Sequence, residues 1–266
     1  MSDDSSNIRS CRRDGAKILY QCGIEDLSSF SIDDLALCRN IYIKEAELRG
    51  CEGRLLRAGG LFGIITIDSK IREPGRRRFA VAHEIGHFEL HSHRNQIVAF
   101  QDNNFLNWYK TCREEEEANS FAAELLMPKS IFIKECKNSA LGFKSIAQIA
   151  NRFNTSLTST AIRYVDLGPH PCILVVSEAG RIKWSWASRD FLYPFIKNGR
   201  EIKKGTITFD LYNGRQIKTV PDVVMGDAWL DDFNVPNDLY LYEDVFYLKS
   251  YSTILTLLWL YDELKD

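Results

Sequence analysis

His83-Glu84-Ile85-Gly86-His87 carries two imidazoles and a carboxylate at a spacing suited to metal-assisted hydrolysis. Residues four apart share one face of an α-helix, so His83 and His87 can both turn a ring nitrogen toward a single Zn²⁺. Glu84, beside the first histidine, can reach a water on that metal rather than the metal itself and serve as its general base. The surroundings suit a helix. Arg76 to Leu90 contains no proline, and Phe79, Ala82, Gly86 and Leu90 recur at helical spacing as a buried stripe. Gly86 is expected to keep the site between the histidines uncrowded. The same five residues on an ordinary amphipathic helix would hold no metal, so the third ligand decides the matter.

His93 stands where the longer metzincin pattern places its last ligand, but that pattern needs Gly where this chain has Leu90. On a continuing helix His93 would lie about 280° round from His83 and face away. His91 is closer in phase and reads as a partner of the helix C-terminal dipole. A better source of the ligand is the stretch 114–128. It is acidic in its first turns, apolar at Ala118, Phe121, Ala122 and Leu125, and stopped before Pro128, which marks a second helix. One carboxylate among Glu114, Glu115, Glu116 and Glu117 would complete a His₂Glu set and leave a fourth position for water. The other glutamates read as a solvated face.

Arg78-Phe79-Ala80-Val81-Ala82-His83-Glu84-Ile85-Gly86-His87-Phe88-Glu89-Leu90-His91, followed by Glu115-x-Glu117-Ala118-Asn119-x-Phe121-Ala122-Ala123-Glu124-Leu125-Leu126-Met127-Pro128, resembles the ImmA/IrrE metallo-endopeptidases. The resemblance covers most of residues 10–167 and continues more loosely to the C-terminus. It implies a gluzincin-type site, in which the ligand Glu precedes an Asp or Asn by four residues. Glu115, four before Asn119, satisfies that rule; Glu117 and Glu114 stand behind it as alternatives. The resemblance thus implies His83, His87 and Glu115 as metal ligands, Glu84 as the catalytic base, and Zn²⁺ or Mn²⁺ as the metal. It further implies a protein substrate, a helix-turn-helix repressor cleaved to release stress or mobile-element genes. The competing reading is a non-catalytic regulator that binds such a repressor, against which the intact ligands and Glu84 speak. Tyr109 and Tyr164 are candidates for stabilising an oxyanion, with no spacing argument for either.

Composition bounds the rest. The 266 residues are 45% apolar and 26% charged, as in ordinary soluble globular proteins, and can bury a substantial core. A net charge of −2 gives no general attraction to nucleic acid or anionic membranes. The seven cysteines are scattered and odd in number, with no C-x-x-C pair, which points to reduced thiols. The polar, acidic start is unlike a signal peptide, and the late apolar run 254–261 is too short to span a bilayer. A cytoplasmic location is expected.

The expected fold class is α+β: a mainly helical, zincin-like peptidase core with a small sheet, a helix-turn-helix-like segment, and a C-terminal mixed α/β domain. The boundaries are read as 1–140, 141–167 and 168–266. Residues 8–48 read mainly as helices, with Ser31 as an N-cap. Leu61 to Asp68 reads as a strand beside one containing Tyr42 and Ile43, and its edge is expected to pair with extended substrate. Arg76-Arg77-Arg78 reads as solvated charge. Residues 144–164 resemble a helix-turn-helix whose Thr158, Ser159 and Arg163 would face a DNA groove. The segment has few basic residues, so direct DNA binding is not expected. Beyond Gly168-Pro169-His170-Pro171, residues 172–177 and 181–186 read as a hairpin around a three-residue Glu178-Ala179-Gly180 loop. A second hairpin is expected around Asn213-Gly214, and a closing helix near 252–263. Family relatives carry a GAF-like sensor here, for which about 100 residues is short. Trp184, Trp186, Trp229 and Trp259 read as packing residues rather than a cofactor box.

Overall fold

The computed structural model describes residues 2–58, 61–91, 113–215 and 221–261. Its helices and two sheets make the fold α+β. The chain divides into two compact units, residues 1–132 with 150–156, and residues 133–149 with 157–266.

The first unit begins with helix α1 (Ser2–Gln21), whose Ile18 and Leu19 are buried. Helix α2 (Ile32–Cys38) starts at Ser31, whose hydroxyl accepts from Asp33 N at 3.2 Å. Strands β1 (Ile41–Ala46), β2 (Gly53–Ala58) and β3 (Phe62–Asp68) follow. They form a sheet in the order β1-β3-β2, with β1 parallel and β2 antiparallel to β3. Tyr42 and Ile43 pair with Ile64 and Ile65, as the sequence suggested. Helix α3 (Pro74–Leu90) carries Pro at its first position, where the missing N–H costs nothing. Helix α4 (Arg113–Leu126) has glutamates in its first turn, which suit the N-terminal end of the helix dipole. Both α1 and α3 pack on α4. Gly15 and Gly86 mark the close approaches: a Cβ at Gly15 would lie 3.0 Å from Phe121 O, and one at Gly86 3.2 Å from Ala118 Cα.

The three arginines at the start of α3 are not merely solvated. Arg77 forms a bidentate pair with Asp33 at 2.9 Å on each arm and reaches Glu45 at 2.9 Å. Arg76 pairs with Glu52, and Arg78 donates to Leu27 O at 2.7 Å. These bonds tie the entry of α3 to α2, β1 and the loops beside them.

Helices α5 (Lys129–Lys137), α6 (Phe143–Phe153) and α7 (Leu157–Leu167) come next. The turn between the last two contains Asn154 in the left-handed region, φ 52°. This is a helix-turn-helix in outline, but Thr158, Ser159 and Arg163 are buried, at 7%, 4% and 2% exposure. Side chains so placed cannot read a groove.

The second unit is built on a five-stranded antiparallel sheet in the order β5-β4-β8-β7-β6. Its strands are β4 (Ile173–Glu178), β5 (Arg181–Ala187), β6 (Asp222–Met225), β7 (Tyr240–Leu248) and β8 (Thr253–Leu260). The first hairpin forms with a two-residue loop, since Glu178 pairs with Arg181; Ala179 and Gly180 both have positive φ, as a primed turn requires. Trp184 and Trp229 are fully buried, whereas Trp186 donates to Asp166 and Trp259 stacks on Tyr242.

Two expectations fail in this unit. The closing helix near 252–263 is instead the central strand β8, paired on both edges and buried on both faces through most of its length. A short apolar run without alternation reads equally as buried helix or buried strand, and the flanking strands decide. Residues 206–212 form helix α8 (Ile207–Tyr212) rather than one arm of an Asn213-Gly214 hairpin; the other expected arm, 216–220, lies outside the described residues. Thr206 caps this helix, and Gly214 at φ 70° ends it, so the Asn-Gly pair serves as a helix stop. Glu243, fully buried on β7, accepts hydrogen bonds from Ile207 N, Thr208 N, Thr208 Oγ1 and Trp229 Nε1, at 2.7–3.1 Å. A buried carboxylate so fully met by donors outweighs the local hairpin preference.

Replacing that carboxylate strands four buried donors. Glu243→Ala should destabilise the protein by roughly 3 kcal/mol, and Glu243→Gln by less because it keeps one acceptor oxygen. Urea unfolding of the three full-length proteins measures the difference.

Candidate metal centre

The first unit brings His83, His87 and Glu115 to one point. His83 and His87 lie one turn apart on α3 and present their Nε2 atoms 2.9 Å from each other. Glu115, from the first turn of α4, places Oε2 3.0 Å from His83 Nε2 and Oε1 3.2 Å from His87 Nε2. Donor atoms around a tetrahedral Zn²⁺ at ~2.0–2.1 Å stand about 3.3 Å apart, close to this triangle. Glu115 Oε1 is buried and takes no hydrogen bond among the described residues. Two imidazole nitrogens and a carboxylate, all with lone pairs converging, fit a divalent cation of borderline softness.

The charges respond to this enclosure. Burial works against the His83 imidazolium, but the Glu115 hydrogen bond and charge outweigh it and raise its pKa. Burial lowers His87 to about 4, so this ring is neutral at pH 7. Glu115 is held far below the usual carboxylate range, the two histidines overcoming the cost of its burial. Neutral imidazole and ionised carboxylate are the forms a metal binds.

Neighbouring groups fix the rings. His83 Nδ1 stands 2.9 Å from Asn119 Oδ1, one turn beyond Glu115 on α4. With that contact donated by Nδ1–H, the Nε2 lone pair is left for a ligand role. Arg57 of β2 lies with its guanidinium 4.2 Å from the Phe88 ring centre and donates to Phe88 O, closing the C-terminal end of α3. Arg39 grips Glu89 with two bonds, 2.8 and 3.0 Å, at the same end. The turn that carries His87 is thereby held from two sides.

Glu84 is 3% exposed, and its Oε2 has no hydrogen-bond partner among the described residues. Burial, reinforced by the charge of Glu115 and opposed by that of His83, pushes it up to about 7. Above it runs β2. A Cβ on Gly53 would lie 2.5 Å from Glu84 Oε1, so glycine there leaves room for the carboxylate. The sequence reading missed both β2 and Gly53; a glycine opening a short strand was the available signal of a close approach. It also assigned the substrate-pairing edge to β3, which is the middle strand with both edges taken. Among the described residues, β2 has an edge that no strand takes, and its Gly53 lies beside Glu84.

The remaining candidates fall elsewhere. Glu116 is exposed, and Glu117 contacts His91 rather than the three-atom cluster. Glu114 is half-buried and does not join it. His91 is buried and bonded to side chains, not a surface partner of the helix dipole. Gly86 faces Ala118 and Phe121 of α4, so it permits helix packing rather than clearing the site. His93 and Tyr109 lie outside the described residues. Tyr164 is fully buried in the second unit, and burial pushes its hydroxyl pKa well above the usual range.

No curated protein sequence matches the chain. A solved structure described as a Mycobacterium tuberculosis transcriptional regulator is similar in fold, with a TM-score of 0.58 at 14% identity. The alignment covers 94% of this chain and 75% of that one. Residues 36–164 match the model of the IrrE N-terminal-like domain, peptidase M78, a stretch that holds α3, α4 and the whole His₂Glu cluster. Residues 36–164 thus form an IrrE N-terminal-like domain of the peptidase M78 type.

Proposed function

We propose that the protein is a zinc-dependent endopeptidase with His83, His87 and Glu115 as metal ligands and Glu84 as catalytic base. The observation that carries this reading is the convergence of three donor atoms, from half-buried His83 and buried His87 and Glu115, within hydrogen-bond range of one another, beside a buried carboxylate with an unpartnered oxygen among the described residues. A divalent cation bound there acidifies a water and polarises the scissile carbonyl. Glu84 accepts the proton of the attacking water and returns it to the leaving amine nitrogen, so the peptide bond is exchanged for a carboxylate and an amine. The site's low exposure keeps bulk water from competing for that proton. An extended peptide can add by backbone pairing to the edge of β2 that no described strand takes, which brings its carbonyls past Glu84. The substrate we propose is a helix-turn-helix repressor. The match to the IrrE N-terminal-like domain supports this, and the fold relative described as a transcriptional regulator agrees with a role in transcription control.

Two outcomes follow. The purified protein should hold about one divalent metal per chain; His83→Ala, His87→Ala and Glu115→Gln should each lose most of it, while the exposed Glu116→Gln retains it. Elemental analysis after dialysis reads this directly, and full retention in His87→Ala would sink the ligand assignment. Glu84→Gln should keep the metal but cut cleavage of a co-expressed repressor by about 10²- to 10⁴-fold. Gly53→Ala, which crowds the same carboxylate, should move in the same direction with metal retained. A wild type that binds a repressor yet leaves it intact, with Glu84→Gln relieving repression equally, would establish the binding-regulator reading instead.

A further inference from the structure

The second ring nitrogen of His87 leads into a chain of polar side chains that the hydrolytic scheme leaves unused. His87 Nδ1 is 3.0 Å from His91 Nδ1, and His91 Nε2 is 3.0 Å from Glu117 Oε2. Glu117 Oε1 in turn accepts from Arg113 Nε at 3.0 Å. His91 is 6% exposed at the C-cap of α3, with its backbone N–H bonded to His87 O at 3.1 Å. The two rings lie 5.1 Å apart, centre to centre.

Proton placement along this chain is forced. For His87 to offer the Nε2 lone pair toward His83 and Glu115, its hydrogen must sit on Nδ1. That hydrogen can be shared with His91 only if His91 Nδ1 is unprotonated, which puts the His91 hydrogen on Nε2. Nε2–H then donates to Glu117, whose negative charge is supported by Arg113. Each link allows one assignment. The polarity runs in one direction, from His87 to the carboxylate, and places electron density on His87 Nε2. His83 differs: its Nδ1 meets the neutral amide oxygen of Asn119. The two histidines are thus oriented by chemically different acceptors: His83 by Asn119 of α4, and His87 by His91 at the end of α3, itself held by Glu117 of α4.

We infer that His91, backed by Glu117 and Arg113, is a positioning residue that locks His87 in the tautomer and ring orientation needed to bind metal. This inference rests on the metal-site reading above. It also gives Glu117 a task distinct from that of Glu115, two residues earlier in the same run.

The test is Zn²⁺ affinity of the full-length protein by competition with a chromophoric chelator, together with the visible spectrum of the Co²⁺-loaded form. His91→Phe fills the space but offers no acceptor to His87, and should weaken Zn²⁺ binding about 10- to 100-fold and alter the Co²⁺ bands. His91→Gln presents an amide oxygen to one side and an N–H to the other, the same polarity as the neutral ring. It should recover most of the affinity and the wild-type spectrum. Glu117→Ala removes the terminal acceptor without touching α3, and should weaken binding in the same direction even where His91→Phe does not fold. Wild-type affinity and spectrum in either His91→Phe or Glu117→Ala would overturn the inference. So would equal weakening in His91→Phe and His91→Gln, which would assign His91 a packing role. A wild type that binds no Zn²⁺ at all would overturn the metal-site reading itself, and the inference with it.

Discussion

The close packing of α3 on α4 at Gly86 is the constraint on which the centre depends. A side chain there would press on Ala118 and Phe121, and backbone atoms among the contacts cannot swing away as a flexible side chain can. Every functional group identified in the first unit, apart from Gly53 and Arg57 on β2 and Arg39 at the end of α2, rides on one of these two helices or its cap. Helix α3 with its C-cap contributes the two histidines, the base and His91, the acceptor for His87; α4 contributes Glu115, the acceptor for His83 and the Glu117 that holds His91. A shift of one helix against the other by half an ångström changes all those distances together. The second close contact, Gly15 of α1 against Phe121 O and Leu125 N, holds α4 from another direction. Rigid helices in tight contact, rather than loops, therefore set the geometry of the donor triangle.

Burying so much charge is costly, and the arrangement offsets the cost locally. Glu115 is stabilised as an anion by two imidazoles, whereas Glu84 has burial without a hydrogen-bonded partner on Oε2 and is pushed up to about 7. Two carboxylates within one electrostatic neighbourhood are thus driven in opposite directions. That separation matches a division of labour: an ionised group suits a ligand, and a group near neutrality suits proton transfer. The difference arises from surroundings alone, since both side chains are chemically identical.

Much of this was legible in the sequence, for identifiable reasons. The His83–His87 spacing, the acidic start of α4 and the stop before Pro128 each report local helix chemistry, and local chemistry survives folding. The strand pairing of Tyr42 and Ile43 with Ile64 and Ile65 was also readable, because both runs are rich in β-branched residues. What could not be read depended on partners distant in sequence. β8 is a strand because β4 and β7 flank it, and α8 is a helix because Glu243 meets its first N–H groups. Likewise β2 carries little apolar alternation of its own, and only its place over Glu84 explains Gly53.

The run Glu114–Glu117 shows why a motif with the right residues can still leave the register open. On a helix, successive residues turn by ~100°, so four consecutive glutamates sample nearly the whole circumference. Glu115 falls on the face toward α3 and reaches His83 and His87; Glu116 points to solvent; Glu117 reaches His91 from the flank of that face. Composition assigns all four the same preference for a helix N-terminus, and Glu114, Glu115 and Glu116 do lie in the first turn. Their individual tasks are decided by angle, and angle is measured only against the partner helix. Asn119 supplied the one intrinsic reference mark, because a residue four positions on lies on the same face as Glu115 and bonds the same histidine. A ligand and its supporting acceptor then share one helical stripe, so any register that moved Glu115 out of the site would remove the acceptor for His83 as well.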